Sequence, residues 1–265
     1  MATGEREQRL IFGEVAETYD RVRPTYPEQL VDDVITYAAA SSGDHAIEVG
    51  AGTGRATAMF AARGLRLTAI EPSPEMAAVA RRNLASFPDA IVHEVLFEHY
   101  DGEGDARILF AAQAWHWVPV DVRYPRAHAL LADRGTFAAF WNVPMEYRPS
   151  ALRAALDAVY DRLAPDVPTR GPGSGWTTVA ADQEVTMGEI EASGLFQDLQ
   201  SRTYEHEHTF STPDYLALLA TQSDHRLLPT DQREGLLDAI GVVIDADGGA
   251  ITVAYTAHLY LARRI

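Results

Sequence analysis

The segment Ala46-Ile47-Glu48-Val49-Gly50-Ala51-Gly52-Thr53-Gly54 constrains this chain more than any other. A short apolar strand over 45–49 runs into a glycine-dense turn, and residues 55–63 then read as a helix that Gly64 stops. The alternation continues. Residues 65–70, 90–95, 107–112 and 136–141 are strand signals, with helical spacing over 74–86 and 123–131 between them. Ser73 is placed to cap the first of those helices, with Pro74 at its first position. Strands separated by helices predict an α/β fold whose parallel sheet is covered on both faces.

The flanks read differently. Helical spacing covers 10–23 and 28–41 before the first strand, with proline breaks at Pro24 and Pro27. After Asn142, helices are predicted over 149–164, 183–193, 213–221 and 231–244, with late strands over 198–210 and 250–263. Residues 165–176 hold GPGSGW and read as a loop. A chain of 265 residues without a separating linker suits one domain over 1–265. Residues 1–41 are expected as N-terminal helices forming a lid, and insertions at 143–195 and 211–248 as helical parts of a substrate cap. The apolar stripe over 231–244 fits either core or a homodimer contact.

Composition removes several chemistries. There is no cysteine, so disulfides, thiol nucleophiles and iron–sulfur clusters are excluded, and a cytoplasmic location is expected. The opening MATGEREQRL lacks the apolar core of a secretion signal, and no apolar run is long enough for a membrane span. The 22 basic residues are all arginine, which excludes lysine Schiff bases and the P-loop lysine. A net charge of −16 disfavours nucleic acid as a partner.

The spacing of the glycines narrows the ligand. A dinucleotide fingerprint needs glycine or alanine three residues after its second glycine. In one register that position is Arg55, in the other Thr57. Glu48, inside an apolar strand, suits a ligand bearing a cationic amino group better than a pyrophosphate; its bland alternative is a carboxylate satisfied by nearby backbone amides. Glu71 directly follows the second strand, where a carboxylate can accept hydrogen bonds from two ribose hydroxyls; otherwise it is a loop acid.

EVGAGTG followed by EPSPEM resembles the cofactor site of class I S-adenosylmethionine-dependent methyltransferases. YDRVRPTYP, AAQAWHW, LLADRGTFAAFWN and the C-terminal LALLATQSDHRLL…AYTAHLYLARR extend the resemblance to small-molecule members, the trans-aconitate methyltransferase-like group. The resemblance implies a three-layer Rossmann-like sheet of seven strands, order 3-2-1-4-5-7-6, with the seventh antiparallel. It implies S-adenosylmethionine as cofactor and a small-molecule acceptor. Glu48 would face the cofactor's amino group, and Gly50, Gly52 and Gly54 would admit its methionine part and ribose. Glu71 would hold the ribose hydroxyls, Met76 would pack on the adenine or in the helix core, and Phe97 with Glu98 would meet the adenine edge. Ala51, Thr53, Pro72 and Gln113 complete the implied cofactor site. Three positions depart from the family: Leu96 stands for an acid, Arg107 for an aspartate and Arg134 for a glycine.

On the acceptor side, His116 lies after the fourth strand, at the sheet's carboxyl edge. Flanked by indoles, its imidazole is expected to be desolvated and neutral, a general base or a positioning group. Trp115, Trp117 and Trp176 are assigned to the acceptor pocket, with core packing the alternative for at least one of the first two. Arg148 and Arg170 flank the insertion as further acceptor contacts. Tyr19 and Arg23, from the segment expected to fold over the site, are counted with the cofactor-binding residues, Tyr19 facing the reactive methyl and Arg23 pairing with a carboxylate of cofactor or substrate; the alternative is that both merely anchor the N-terminal helices. His206 and His208 alternate along a late strand; they read as edge-strand polarity rather than metal ligands. Two rival functions remain: a nicotinamide-dependent oxidoreductase, and a catalytically silent binding module of the same fold.

Overall fold

The central strands bury both faces, and each face collects its own helices. In the computed structural model, which describes residues 16–145, 150–168, 170–172 and 177–265, the strands are β1 (His45–Val49), β2 (Arg66–Ile70), β3 (Ala90–His93), β4 (Ala106–Ala112), β5 (Leu131–Pro144), β6 (Phe196–Ser211) and β7 (Ala250–Arg264). They form one sheet, order β3-β2-β1-β4-β5-β7-β6. β7 runs antiparallel to both neighbours, and the β1–β5 half is parallel. The expected strand order and the reversed seventh strand are therefore present.

The described helices are α1 (Ala16–Val22), α2 (Glu28–Ala38), α3 (Arg55–Ala61), α4 (Pro74–Asn83), α5 (Val120–Leu130), α6 (Ala151–Leu163), α7 (Thr177–Ser193), α8 (Thr212–Ala220), α9 (Ser223–Arg226) and α10 (Thr230–Ala246). Side chains alternate across a strand. Ile47, Leu109, Phe137 and Ala139 point to one side, against Tyr124, Ala127 and Leu130 of α5 and Ile190 of α7. Ala46, Ile108, Phe110 and Phe140 point to the other, against Leu30 and Val34 of α2 and Phe60 of α3. The Phe60 and Phe110 rings stack at 4.1 Å between centroids.

A third cluster lies beyond the sheet edge. Leu156 and Tyr160 of α6, Tyr215 and Leu219 of α8, and Leu236, Ile240 and Ile244 of α10 pack on the tip of the β6–β7 hairpin at Phe210, Ile251 and Tyr255. The stripe over 231–244 is thus spent largely on the chain's own core.

Most differences from the sequence reading are boundaries. β5 continues to Pro144 because antiparallel β7 pairs it from Thr136 through Pro144, past the point where β4 stops at Phe140. α7 starts at Thr177 rather than 183. Of the helix read over 10–23, only Ala16–Val22 falls among the described residues. Arg134, where the resemblance implied a glycine, adopts φ 57°, the left-handed region glycine favours.

Candidate functional site

The glycine turn is pinned to the end of the neighbouring strand. The amides of Gly50 and Ala51 both donate to Ile70 O, at 2.9 and 3.0 Å. Gly50, Gly52 and Gly54 have φ of 69°, 58° and 81°, values that L side chains adopt at a cost. Gly54 is the N-cap of α3. A Cβ at Gly50 would lie 2.5 Å from the Cβ of Ala114, so the turn after β4 presses against the turn after β1. That second turn carries its own left-handed residue, Gln113, with φ 59°. Its amide donates to Phe140 O at 2.9 Å and its Nε2 to Asn142 O at 3.2 Å.

Two buried acids bracket the glycine turn. Glu71 Oε2 accepts from the Gly52 amide at 2.8 Å, and Oε1 accepts from the Ser73 amide at 2.8 Å. Burial raises the Glu71 carboxyl above its ordinary value, and these two amides pull the other way. Ser73 also caps α4, its hydroxyl accepting from the Met76 amide. Glu48 is 1% exposed and accepts from the Thr57 hydroxyl. Burial pushes the Glu48 carboxyl up to about 8; the bond from Thr57 opposes the shift and repulsion from Glu71 adds to it.

Above these groups a cavity of about 490 Å³ opens at the carboxyl ends of the strands. Tyr19, Arg23, Gly50, Gly52, Glu71, Pro72, Met76, Phe97, Glu98, Gln113, His116 and Trp117 line it, as the sequence reading brought them together. Glu48, Ala51 and Thr53 line a smaller space of about 80 Å³ that shares Tyr19, Arg23 and both glycines with the first. Leu96 lies on the wall of the larger cavity. Met76 lines the cavity and also packs on Ala16 and Val79.

Tyr19 and Arg23 also combine their two readings. The Arg23 guanidinium stacks over the Tyr19 ring at 4.8 Å and donates to Thr221 Oγ1 at 3.3 Å, so both anchor the segment while facing the cavity. Asn142 Nδ2 donates to Thr25 O at 3.0 Å, tying that segment to the end of β5.

The tryptophans divide. The 3₁₀ turn Trp115–Trp117 sends Trp115 inward, fully buried, with its ring 4.7 Å from Phe137 and 5.6 Å from Tyr124. Trp115 therefore sits in the core and off the cavity wall. Because one indole turns inward, His116 is exposed rather than shut between two. Trp176 and Arg148 lie outside the described residues. Arg170 is tied within the insertion, pairing with Asp161 at 2.6 Å and accepting from Arg153 through its carbonyl. His206 Nε2 meets Asn142 Oδ1 at 3.0 Å and its ring stacks on Tyr255; His208 packs on Phe210.

Several wall residues had no local signal in the sequence. Trp141 and Tyr260 come from β5 and β7, Thr186 and Glu189 from α7, and Gln222 and Asp224 from the α8–α9 region. Arg123 pairs with Glu189, which also accepts from Tyr124 Oη at 3.0 Å. Only the tertiary fold brings α5 and α7 together. Among the described residues no cluster of three or more His, Asp and Glu is placed to hold a metal, and no helix is long and apolar enough to cross a membrane.

Residues 47–137 match the family model described as a methyltransferase domain. An uncharacterized methyltransferase of Mycobacterium tuberculosis is 33% identical over 147 residues, 54% of this chain and 56% of that protein. A Mycobacterium bovis relative matches to the same extent. The chain thus spans a little over half the length of these curated relatives. Among solved structures, a type II methyltransferase assignment from Anaeromyxobacter dehalogenans aligns over 91% of this chain and 97% of its own, with TM-score 0.65 and 21% identity. A phosphoethanolamine N-methyltransferase of Haemonchus contortus, solved with S-adenosyl-L-methionine, aligns over 95% of this chain and 57% of its own, with TM-score 0.54 and 13% identity; these two likenesses concern the fold. The matched segment starts inside β1 and ends inside β5, enclosing the glycine turn and both acids, and these likenesses support a class I S-adenosylmethionine-dependent methyltransferase domain over that part of the chain.

Proposed function

We propose that this chain transfers a methyl group from S-adenosylmethionine to a small-molecule acceptor by in-line displacement. The observation that carries the reading is the pair of buried acids, Glu48 and Glu71, on either side of a turn whose Gly50 leaves no space for a side chain. Two adjacent buried carboxyls are costly unless a cation or hydrogen-bond donors meet them. An amino-acid tail bearing an ammonium, joined to a ribose bearing two hydroxyls, supplies both. The residues present fit that group.

When bound, the cofactor supplies a methyl carbon attached to a positively charged sulfur. This chain's contribution is alignment and shelter from water. Glu71, fixed by two amides, accepts from the ribose hydroxyls. Glu48 faces the ammonium, and Arg23 the carboxylate of the same tail. Residues of the 143–195 and 211–248 segments, among them Thr186, Glu189, Gln222 and Asp224, line the same cavity and form the cap over the acceptor. Alignment of nucleophile, carbon and leaving sulfur removes several kcal/mol of barrier without any protein-borne nucleophile.

The acceptor is a small molecule. An acidic chain of net charge −16 repels a polyanion, and the cavity wall sets Glu71, Glu98, Glu189 and Asp224 against only Arg23 and Arg123, which is not a basic groove. The test is calorimetric titration with S-adenosylhomocysteine, followed by incubation with S-adenosylmethionine and a panel of small acids, phenols and amines, reading each acceptor's mass. Binding followed by a gain of one methyl supports the reading. Binding with no methylated product from any acceptor favours the silent binding module, and no binding at all overturns the cofactor assignment for this chain.

A further inference from the structure

Trp141 Nε1 lies 3.2 Å from His116 Nδ1. An indole N–H only donates, so Nδ1 must be the acceptor of this bond. A neutral imidazole carries one proton, and with Nδ1 accepting, that proton is on Nε2. Neither the Nδ1–H tautomer nor the doubly protonated ring is compatible with the contact, because each would set two donors against one another.

We infer that Trp141 holds His116 as the Nε2–H tautomer, and that His116 meets the acceptor as a hydrogen-bond donor rather than as a general base. Both rings line the large cavity. A base acting there needs a lone pair on Nε2 with the counter-proton on Nδ1, steadied by a carboxylate or carbonyl. Here the group behind Nδ1 is another donor. To take a proton, His116 would have to lose the Trp141 bond, leaving the mostly buried indole N–H unpaired. Trp141 is itself fixed from behind: it belongs to β5, packs in the core and meets the Tyr260 ring at 5.9 Å. The Trp141 position selects the tautomer, and His116 orients an acceptor lone pair without receiving its proton. The donor role rests on the methyl-transfer reading; the tautomer does not.

The experiment separates the two. Full-length protein labelled with ¹⁵N-histidine is studied by long-range ¹H–¹⁵N correlation, with His116→Gln identifying the His116 signals. The expected pattern is a protonated Nε2 and an unprotonated Nδ1 at pH 7. Trp141→Phe is expected to release the ring into a mixture of tautomers. A protonated Nδ1 in the native protein, whether as the other tautomer or as imidazolium, overturns the inference even if methyl transfer is confirmed. With the acceptor returned by the mass screen, His116→Gln, which keeps an N–H donor but no base, is expected to retain most of kcat/KM, while His116→Phe loses it. A loss of about 100-fold or more in both variants, the scale of removing a base, overturns the donor role. Failure of methyl transfer leaves the tautomer result standing.

Discussion

The main-chain amide of Gly52 donates to Glu71 Oε2 at 2.8 Å, linking the turn after β1 to the first residue after β2. Together with the Ser73 amide on Oε1, this bond fixes the plane of a buried carboxylate at the mouth of the cavity. The acid is set in place by the backbone, so its remaining lone pairs have a defined direction before a ligand arrives.

Glu71→Ala should therefore weaken S-adenosylhomocysteine binding by about 1–3 kcal/mol, the scale of losing hydrogen bonds to a charged group. Calorimetric affinities of the two proteins check this. Unchanged affinity would remove Glu71 from the ribose site.

Cofactor affinity should depend on pH through Glu48. Its carboxyl is pushed up to about 8 by burial, with Glu71 adding to the shift, so the empty site is protonated at pH 6–7. An ammonium beside it favours the carboxylate, so binding releases a proton and affinity climbs with pH. The rise should approach about tenfold per pH unit and flatten above about 8, where the Glu48 carboxyl of the empty site is already ionised. Titrations in buffers of different ionisation heat measure the proton released, and Glu48→Gln should abolish it.

The same shift bears on the empty protein's stability with the opposite sign. A carboxyl whose folded value is raised favours folding while protonated, and that advantage is lost as pH climbs toward about 8. The melting temperature should fall between pH 6 and pH 8.5 by less in Glu48→Gln than in the native chain.

Gly50→Ala meets two obstacles. The residue has φ 69°, which costs an L side chain about 1–2 kcal/mol. The new methyl would also stand 2.5 Å from the Ala114 Cβ, forcing the turns after β1 and β4 apart. Chemical denaturation should show the loss, and Ala114→Gly in the same chain should recover the steric part only.

Ser73→Ala removes the cap of α4 while leaving the Ser73 amide on Glu71. A loss of about 1 kcal/mol in stability is expected, with cofactor affinity reduced little. Thermal melts and calorimetry on one variant distinguish the helix cap from the ligand site.

The parallel half of the sheet was legible because its signals are local. The apolar runs ending at Val49, Ile70 and Ala112, the glycine turn, and the Ser73-Pro74 helix start all act within a few residues. The cavity wall around the glycine turn was legible for the same reason: it is built from short turns at strand ends. The opposite wall was not. For Trp115 and Trp117 the sequence left both the cavity wall and core packing open, and a single 3₁₀ turn sends Trp115 into the core and leaves Trp117 on the wall. Trp141 lines the cavity on a stretch of β5 that β7 extends, a pairing between segments more than a hundred residues apart.

By itself the sequence determined the α/β class, the glycine turn and the two acids beside it, since backbone freedom and residue type are properties of adjacent positions. Tertiary structure decided how deeply Glu48 is buried, which indole faces the cavity, and that Arg123 on α5 meets Glu189 on α7. Those outcomes depend on burial and on long-range approach, which arise only when helices and strands from distant parts of the chain pack together.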